Sequence, residues 1–326
     1  MKMKRETLLL SANDVLSLLK ISDCIKAVEA GFRYLGEGKL PAPEILSLHS
    51  PLGGLHVKAA FWSNGSRYFV AKANANFPAN PKTHGLPTIQ GVIILCDADT
   101  GELLALIDSI EITALRTAAA TAVAARKLAR PGSKVVTICG CGRQGSVQLQ
   151  ALLEVLPIEM VYAYDVDGDA AHRFADTHRN TRRVTGDLSG ALRASDVIVT
   201  CTPAKKFFVK IDDVSPGTFI AAVGADSEHK QELDPHLFLA NKIIVDSLSQ
   251  CSRIGDLHHA LEEGRASAES VHAELADVVA GKSAGRATEE EITIFDSTGI
   301  AIEDAAAAAL VYEKAVHAQL GTRFSF

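Results

Sequence analysis

The chain has neither an excess of positive charge nor a long apolar run. Its 33 Lys and Arg and 39 Asp and Glu give a formal net charge of −6, with both signs scattered along the sequence. We therefore expect no basic face for nucleic acid and no polybasic anchor for a membrane. The apolar run Leu8–Leu10 is too short for a signal sequence, and Asn13 and Asp14 prevent its extension toward the next leucines. Small molecules are the expected ligands.

Cysteine pairs at metal-binding spacing are also missing. The six cysteines form no CxxC pair, and no histidine stands near them at zinc-finger spacing. Four of them lie in or beside predicted strands, as small buried hydrophobic residues do: Cys96, Cys139, Cys141 and Cys201. We expect a reduced cytoplasmic protein without a metal site. A chain of 326 residues with 47% hydrophobic content is long enough for two globular domains.

A glycine series comes directly after the apolar strand KVVTIC. Gly140 permits a tight turn, Gly142 allows a pyrophosphate to approach the backbone, and Gly145 allows a helix to pack against the sheet. Arg143 and Gln144 begin that helix, whose N–H groups and positive dipole end suit phosphates. The segment predicts a dinucleotide-binding loop.

Asp165 ends the next predicted strand, twenty residues after Gly145. A carboxylate at this position accepts hydrogen bonds from the adenosine ribose hydroxyls, and it repels a 2′-phosphate. No arginine stands within three residues of Asp165 to receive such a phosphate. We therefore predict NAD(H) rather than NADP(H) as the cofactor.

Strands and helices alternate from Lys134 onward, which predicts an α/β fold with a doubly wound parallel (Rossmann) sheet. The first 115 residues contain a helix over 24–36, strand candidates over 55–61, 68–75 and 90–96, and loops rich in Gly, Pro and Asn. They predict a second, mixed α+β domain. A long alanine-rich helix over 108–130 joins the two, and another small-residue helix ends the chain. We place the boundaries at 1–115 plus 303–326 for the mixed domain and 116–302 for the nucleotide domain.

Several charged residues are candidates for chemistry. Asp226 comes after the predicted strand TFIAAVG, at the carboxyl edge where ligands of doubly wound sheets bind. Lys72 lies inside an apolar strand. It is either a buried functional cation or an edge-strand lysine whose amine reaches solvent. Arg116 suits a substrate carboxylate or a surface salt bridge. Asp256, His258 and His259 come after Gly255 on a helix, and we interpret them as a solvated face.

Five longer segments resemble the ornithine cyclodeaminase/mu-crystallin family over nearly the whole chain. They are FVAKANANFPANPKTHGLPTIQG, DADTGELLALIDSIEITALRTAAATAVAARKLA, GCGRQG, AVGADSEHKQELDP and EEEITIFDSTGIAIEDAAAAALVYE. Within the family, AYDVD, the glycine loop and FDSTG are most similar to the archaeal-type alanine dehydrogenases.

The resemblance implies a homodimer whose first domain and last helix form the substrate-binding and dimerisation platform. It implies that Lys72 and Asp226 face each other across the substrate as catalytic residues, with Arg116 on the substrate carboxylate. It also implies a set of residues that line the cofactor: Thr88, Thr202, Val223, Gly224 and Ser297.

Two departures from the family pattern concern the substrate. Many relatives carry a basic residue after a proline pair, whereas this chain has Pro43 followed by Glu44. Cyclodeaminases tend to carry a glutamate where this chain offers His56 and Lys58, which we assign to substrate binding. Specificity for ornithine is therefore not expected.

The leading hypothesis is an NAD-dependent oxidoreductase that acts on the CH–NH₂ or C=N group of a small L-amino or imino acid, most like L-alanine dehydrogenase. Asp226 would activate water to attack the imino acid, and Lys72 would polarise the resulting oxygen. The alternatives are an ornithine cyclodeaminase that recycles its NAD and a reductase of Δ1-pyrroline-2-carboxylate. A non-catalytic binder like mu-crystallin is a further alternative.

Overall fold

The computed structural model describes residues 6–178 and 182–326, which form two compact units. One unit is the part of the chain up to Arg116 together with Ile300–Phe326, and the other is Thr117–Gly299.

The first unit is built on a mixed seven-stranded sheet. Its elements up to the unit boundary are β1 (Thr7–Leu10), α1 (Ala12–Leu18), α2 (Ile21–Gly36), β2 (Glu44–Ser50), β3 (Gly53–Asn64), β4 (Ser66–Asn76), α3 (Asn80–Thr83), β5 (Ile89–Asp97), β6 (Leu103–Asp108) and α4 (Ser109–Leu128), which continues into the second unit. The strand order, completed by β17 (Thr322–Phe324), is β17-β1-β6-β5-β4-β3-β2. Among the described strands of this sheet, β1 and β6 form the only parallel pair.

The second unit is the predicted doubly wound sheet. Its strands are β7 (Val135–Cys139), β8 (Met160–Tyr164), β9 (Arg182–Val184), β10 (Val197–Thr200), β11 (Lys205–Val209), β12 (Phe219–Ala222), β13 (Gln231–Leu233), β14 (Lys242–Val245), β15 (Val271–Glu274) and β16 (Thr293–Asp296). Its helices are α5 (Arg143–Leu153), α6 (Gly168–Thr177), α7 (Leu188–Arg193), α8 (Leu248–Ile254), α9 (Asp256–Glu262) and α10 (Leu275–Val279), and α11 (Ala301–Ala318) returns to the first unit. Short 3₁₀ helices span Ile211–Asp213, Pro235–Phe238 and Ala268–Ser270.

Eight of these strands form one parallel sheet in the order β15-β14-β16-β12-β10-β7-β8-β9, and β11 and β13 pair separately. The sheet therefore winds outward in both directions from β7, as the sequence predicted. Its central strands are apolar and fully buried, because they have neighbours on both edges and cover on both faces. Fully buried examples are Ile138, Val199, Ile220, Ile244 and Phe295.

In the first unit, α2 and α11 pack against each other, and α11 also packs on β3 and β4. The buried residues of α2 have helical spacing, for example Cys24, Val28 and Phe32. Ala305 to Ala309 of α11 are almost completely buried, which lets the helix approach its neighbours closely. The unpredicted strand β2 is mostly exposed along its length, so it carries little of the apolar alternation that marks a strand.

Among the described residues, none of the helices combines the length and the apolar character that a bilayer crossing requires.

Candidate active site

The glycine loop has the geometry that its sequence predicted. Gly140 has φ +103, and a Cβ there would lie 2.8 Å from the carbonyl oxygen of Cys201. A Cβ on Gly145 would overlap the carbonyl oxygen of Gly140. Gly142 precedes α5 with φ −81, and a Cβ there would meet nothing within 4 Å. Gly140 and Gly145 are therefore required by the fold, whereas Gly142 leaves space open for a ligand.

The loop and α5 fit the phosphates of a dinucleotide. Gly142, the N-cap residue of α5, has no side chain that could cap the helix, and the N–H groups and positive dipole end of this eleven-residue helix suit an anion. Arg143 and Gln144 form its first turn. Asp165 comes directly after β8, and its carboxylate accepts hydrogen bonds from the N–H groups of Cys141 (2.8 Å) and Asp167 (2.9 Å). These bonds hold the predicted ribose acceptor beside the glycine loop.

The other predicted cofactor residues of this unit lie at the carboxyl ends of neighbouring strands. Thr202 comes after β10, Val223 and Gly224 after β12, and Ser297 after β16. The Val223 N–H donates to Thr200 O at 2.9 Å, and the Ser297 N–H donates to Ala222 O at the same distance. The strand register thus brings all four residues to one edge of the sheet.

A buried glutamate joins two of these strand ends. Glu232, on β13, accepts hydrogen bonds from the N–H (2.6 Å) and the hydroxyl (2.7 Å) of Thr202. Its other carboxylate oxygen accepts from the Gly224 N–H at 2.9 Å. Burial and the neighbouring Asp256 carboxylate raise the pKa of Glu232 to about 7. This residue was not predicted from the sequence.

The structure corrects the interpretation of Asp256. The sequence indicates that it forms a solvated face with His258 and His259, but its side chain is fully buried. Its carboxylate accepts from the N–H groups of Glu232 (2.7 Å) and Leu233 (2.9 Å), and burial raises its pKa to about 6. The two histidines are half-buried.

Three side chains of a kind that binds metal ions lie together on α9. Atoms of His258, His259 and Glu262 that could bind an ion come within 4.8 Å of one another. However, Nε2 of His259 already lies 2.8 Å from the carbonyl oxygen of Lys230. We assign no metal to this group.

Asp226 lies in the loop after β12, two residues beyond Gly224. Its side chain is 44% exposed, and its Oδ1 lies 2.6 Å from Nζ of Lys230. The lysine is therefore the immediate cationic neighbour of the predicted catalytic carboxylate.

In the first unit, Lys72 lies at the centre of a buried charged cluster. Only 3% of its side chain is exposed, so the interpretation as an edge lysine reaching solvent is wrong. Its Nζ donates to Oδ1 of Asp304 at 2.7 Å. Burial and the Arg116 cation lower the pKa of Lys72 to about 7, although Asp304 opposes the shift. A lysine with this pKa can donate or accept a proton near neutral pH.

Arg116 belongs to the same cluster, so its salt bridges are buried rather than on the surface. Nη1 donates to Oε2 of Glu303 at 2.8 Å, and Nε lies 3.0 Å from Oδ1 of Asp304. Burial alone would raise the pKa of Asp304, but Arg116 and Lys72 hold that pKa below its usual value. Glu303 and Asp304 were not predicted from the sequence.

The remaining predicted residues of the first unit lie on or near the same sheet. Lys58, on β3, pairs directly with Lys72 on β4, and His56 is two residues away on the same face. Nδ1 of His56 lies 2.9 Å from Oγ of Ser47. Thr88 precedes β5, and its carbonyl oxygen accepts from the Phe77 N–H at 2.8 Å. Both proposed substrate-binding residues on β3 thus share a sheet face with Lys72.

A doubly wound sheet with this glycine loop and an acidic residue at the end of its second strand is typical of dinucleotide-binding enzymes. Residues 5–319 match the family model described as the ornithine cyclodeaminase/mu-crystallin family. The chain belongs to that family, and the predictions of family and fold class are confirmed.

Three relatives show where in the family the chain lies. It is 41% identical over 323 residues to the alanine dehydrogenase of Archaeoglobus fulgidus, which covers 98% of this chain and 99% of that protein. Its fold matches an archaeal alanine dehydrogenase dimer with bound NAD at a TM-score of 0.94, with 40% identity and coverage of 98% and 99%. It also matches Thermococcus litoralis Δ1-pyrroline-2-carboxylate reductase in complex with NADH and L-proline at 0.91, with 35% identity and coverage of 97% and 99%.

Proposed function

We propose that this NAD-dependent oxidoreductase catalyses the reversible oxidative deamination of L-alanine. The observation that carries the choice of substrate is the 41% identity to an alanine dehydrogenase along 98% of the chain. The reaction is L-alanine, NAD⁺ and water to pyruvate, ammonium, NADH and a proton.

The cofactor half of the proposal rests on the second unit. The phosphate loop is assigned to Gly140, Gly142 and Gly145, and the start of the following helix to Arg143 and Gln144. The ribose acceptor is assigned to Asp165. Thr202, Val223, Gly224 and Ser297 supply the edge of the sheet beside it, and we assign Thr88 of the first unit to the cofactor as well. NAD⁺ held by these residues would supply the acceptor for the hydride that leaves the substrate Cα.

The substrate half rests on the buried cluster of the first unit. We assign the substrate carboxylate to Arg116, whose planar guanidinium can bind it bidentately while Glu303 and Asp304 fix its orientation. Lys72 polarises the carbinolamine or carbonyl oxygen and relays a proton, for which a pKa near 7 is well suited. His56 and Lys58 are assigned to the substrate because they lie on the sheet face that carries Lys72.

Asp226 is assigned as the base that activates water. A carboxylate that is 44% exposed has access to solvent, and Nζ of Lys230 lies 2.6 Å from its Oδ1. Ionised Asp226 can take the proton of the water molecule that attacks the imino acid.

A second candidate is a reductase of Δ1-pyrroline-2-carboxylate. The observation that favours it is the 0.91 TM-score and 35% identity to such an enzyme in complex with NADH and L-proline. This reaction needs no attack by water, so it would not depend on Asp226 as a base.

We also infer a homodimer built on the first unit. The face of the seven-stranded sheet opposite Lys72 leaves a group of large apolar side chains exposed: Leu46, Leu48, Leu55, Phe69 and Ile94. An exposed apolar patch of this kind is typical of a subunit interface. The variant Phe69→Lys is expected to halve the mass measured by light scattering. Leu239→Lys, which changes a similarly exposed side chain in the second unit, should leave the mass unchanged.

The reaction is tested by incubating the purified protein with NAD⁺ and, separately, L-alanine, L-ornithine and L-proline. Ammonium and NADH that appear together from L-alanine support the proposal. NADH from L-proline without ammonium would support the second candidate. Ammonium from L-ornithine without net NADH would replace both with a cyclodeaminase.

A further inference from the structure

Glu232 holds together two strand ends that our proposed function assigns to the cofactor. Its carboxylate receives three hydrogen bonds, from the Thr202 N–H, the Thr202 hydroxyl and the Gly224 N–H. The three distances lie between 2.6 and 2.9 Å, and Glu232 is fully buried. An ionised carboxylate accepts all three bonds at full strength, whereas a carboxyl group gives up one acceptor site to its own proton and is the weaker acceptor.

The two strand ends belong to different segments of the chain. Thr202 comes after β10 and Gly224 after β12, whereas Glu232 belongs to the separate strand β13. Asp226, the proposed base, is two residues beyond Gly224 on the same loop. The glutamate therefore fixes the relative position of the Thr202 loop and the loop that leads to Asp226.

We propose that Glu232 is a positioning residue for cofactor binding, whose ionised carboxylate locks the Thr202 and Gly224 loops in the form that binds NAD(H). The inference rests on the proposed cofactor role of those loops. Uptake of a proton by Glu232 weakens these hydrogen bonds and thereby the binding of NADH.

The groups that face Glu232 favour its protonation near neutral pH. Asp256, from α9, is the charged neighbour, and Asp296 lies behind it and accepts from the Asp256 N–H at 3.2 Å. The thiols of Cys139 and Cys201, at the ends of β7 and β10, also lie within electrostatic range, and burial keeps their pKa values well above the ordinary range. They are therefore neutral at pH 7. With a raised pKa of about 7, Glu232 is ionised at pH 8 and largely protonated at pH 6.

The test is an NADH titration, monitored by fluorescence, of the wild-type protein and of Glu232→Gln between pH 6 and pH 8. For the wild type we expect the dissociation constant of NADH to rise as the pH falls through about 7. Glu232→Gln should bind NADH about 10-fold or more weakly at pH 8, since it loses hydrogen bonds to a charged acceptor. It should also lose most of the pH dependence, which a general loss of packing would not remove.

The matched control is Glu291→Gln. Glu291 also accepts from two backbone N–H groups, those of Ala287 and Thr288, but it lies just before β16, at the amino edge of the sheet. Its substitution should change neither the affinity for NADH nor the pH dependence.

If Glu232→Gln does not fold, Asp256→Asn provides a second test. Removal of this neighbouring charge lowers the pKa of Glu232, so the midpoint of the NADH profile should move to lower pH. An unchanged midpoint in Asp256→Asn, or wild-type affinity in Glu232→Gln at every pH, would overturn the inference and leave the proposed function intact. A wild-type protein that binds no NADH would overturn both.

Discussion

Nζ of Lys72, on β4, lies 2.7 Å from Oδ1 of Asp304, on α11, although 232 residues separate them in the sequence. Both side chains are almost completely excluded from solvent, and Arg116 shares the same carboxylate oxygen at 3.0 Å. Asp304 therefore compensates two buried cations at once. Its charge sets both the stability of the cluster and the protonation of the lysine.

Asp304→Asn should destabilise the first unit and shift the titration of Lys72. An unfolding free energy lower by about 3–5 kcal/mol is expected, because two buried cations lose a counter-charge. The pKa of Lys72 should fall below its wild-type value of about 7, since Asp304 is the group that raises it. Denaturant unfolding gives the first quantity, and the pH profile of kcat/KM for L-alanine gives the second.

The matched control for this variant is Asp23→Asn. Asp23 pairs with Lys314 at 2.6 Å, but about a third of each side chain is exposed. A loss of at most about 1 kcal/mol is expected for such a pair. If both variants lose the same small amount, the buried cluster does not depend on Asp304 in the way described.

Lys72→Met should lower turnover of L-alanine by at least about 100-fold, the lower bound for a positioned acid or base. Binding of NADH should persist, because the phosphate loop belongs to the second unit. The limb of the pH profile near pH 7 should disappear from the residual activity. Lys39→Met, at an exposed lysine paired with Glu37, serves as the control and should retain wild-type turnover. Loss of NADH binding in Lys72→Met would contradict the assigned role.

The cofactor loop could be predicted because all its determinants lie in one short segment. Gly140, Gly145 and Asp165 occur within 26 residues. The structure confirms the tight turn at Gly140 and the close helix contact at Gly145, and it places Asp165 beside the loop. The parallel sheet was predictable for a similar reason, since strands buried on both faces are almost continuously apolar.

The charged partners could not be predicted in this way. Glu303 and Asp304 lie on an alanine-rich helix whose sequence signals only helix propensity, and their partners come from distant segments. Asp256 stands beside two histidines on a short helix, a pattern that is typical of a solvated face. Its burial arises from packing that the local sequence does not indicate. Glu232 lacks a distinguishing pattern, because its partners are brought together only by the register of β10 and β12.

The glycine loop predicts different outcomes for two similar substitutions. Gly140→Ala should lose about 1–3 kcal/mol of stability as well as affinity for NADH, because φ +103 is strained for alanine and the methyl group meets Cys201. Gly142→Ala should keep its stability, since the new Cβ meets nothing within 4 Å, and yet lose affinity about 10-fold or more. Thermal unfolding and NADH titration separate the two effects. Gly132→Ala, where a Cβ is equally unobstructed, should behave as the wild type, and normal NADH binding by Gly142→Ala would refute the phosphate role.

Asp165 should determine the preference for NADH over NADPH. Its carboxylate is held beside the loop by the N–H groups of Cys141 and Asp167, the position from which we propose that it binds the ribose hydroxyls and repels a 2′-phosphate. Asp165→Ser should therefore weaken NADH binding by about 10-fold or more, through the loss of charged hydrogen bonds, and should improve binding of NADPH. Parallel titrations with both cofactors measure the ratio. Asp167→Ser changes an acidic residue two positions away, the N-cap of α6, and should leave the ratio unchanged. An unaltered ratio in Asp165→Ser would place the ribose elsewhere, because a carboxylate in direct contact with the ribose must change the preference when its charge is removed.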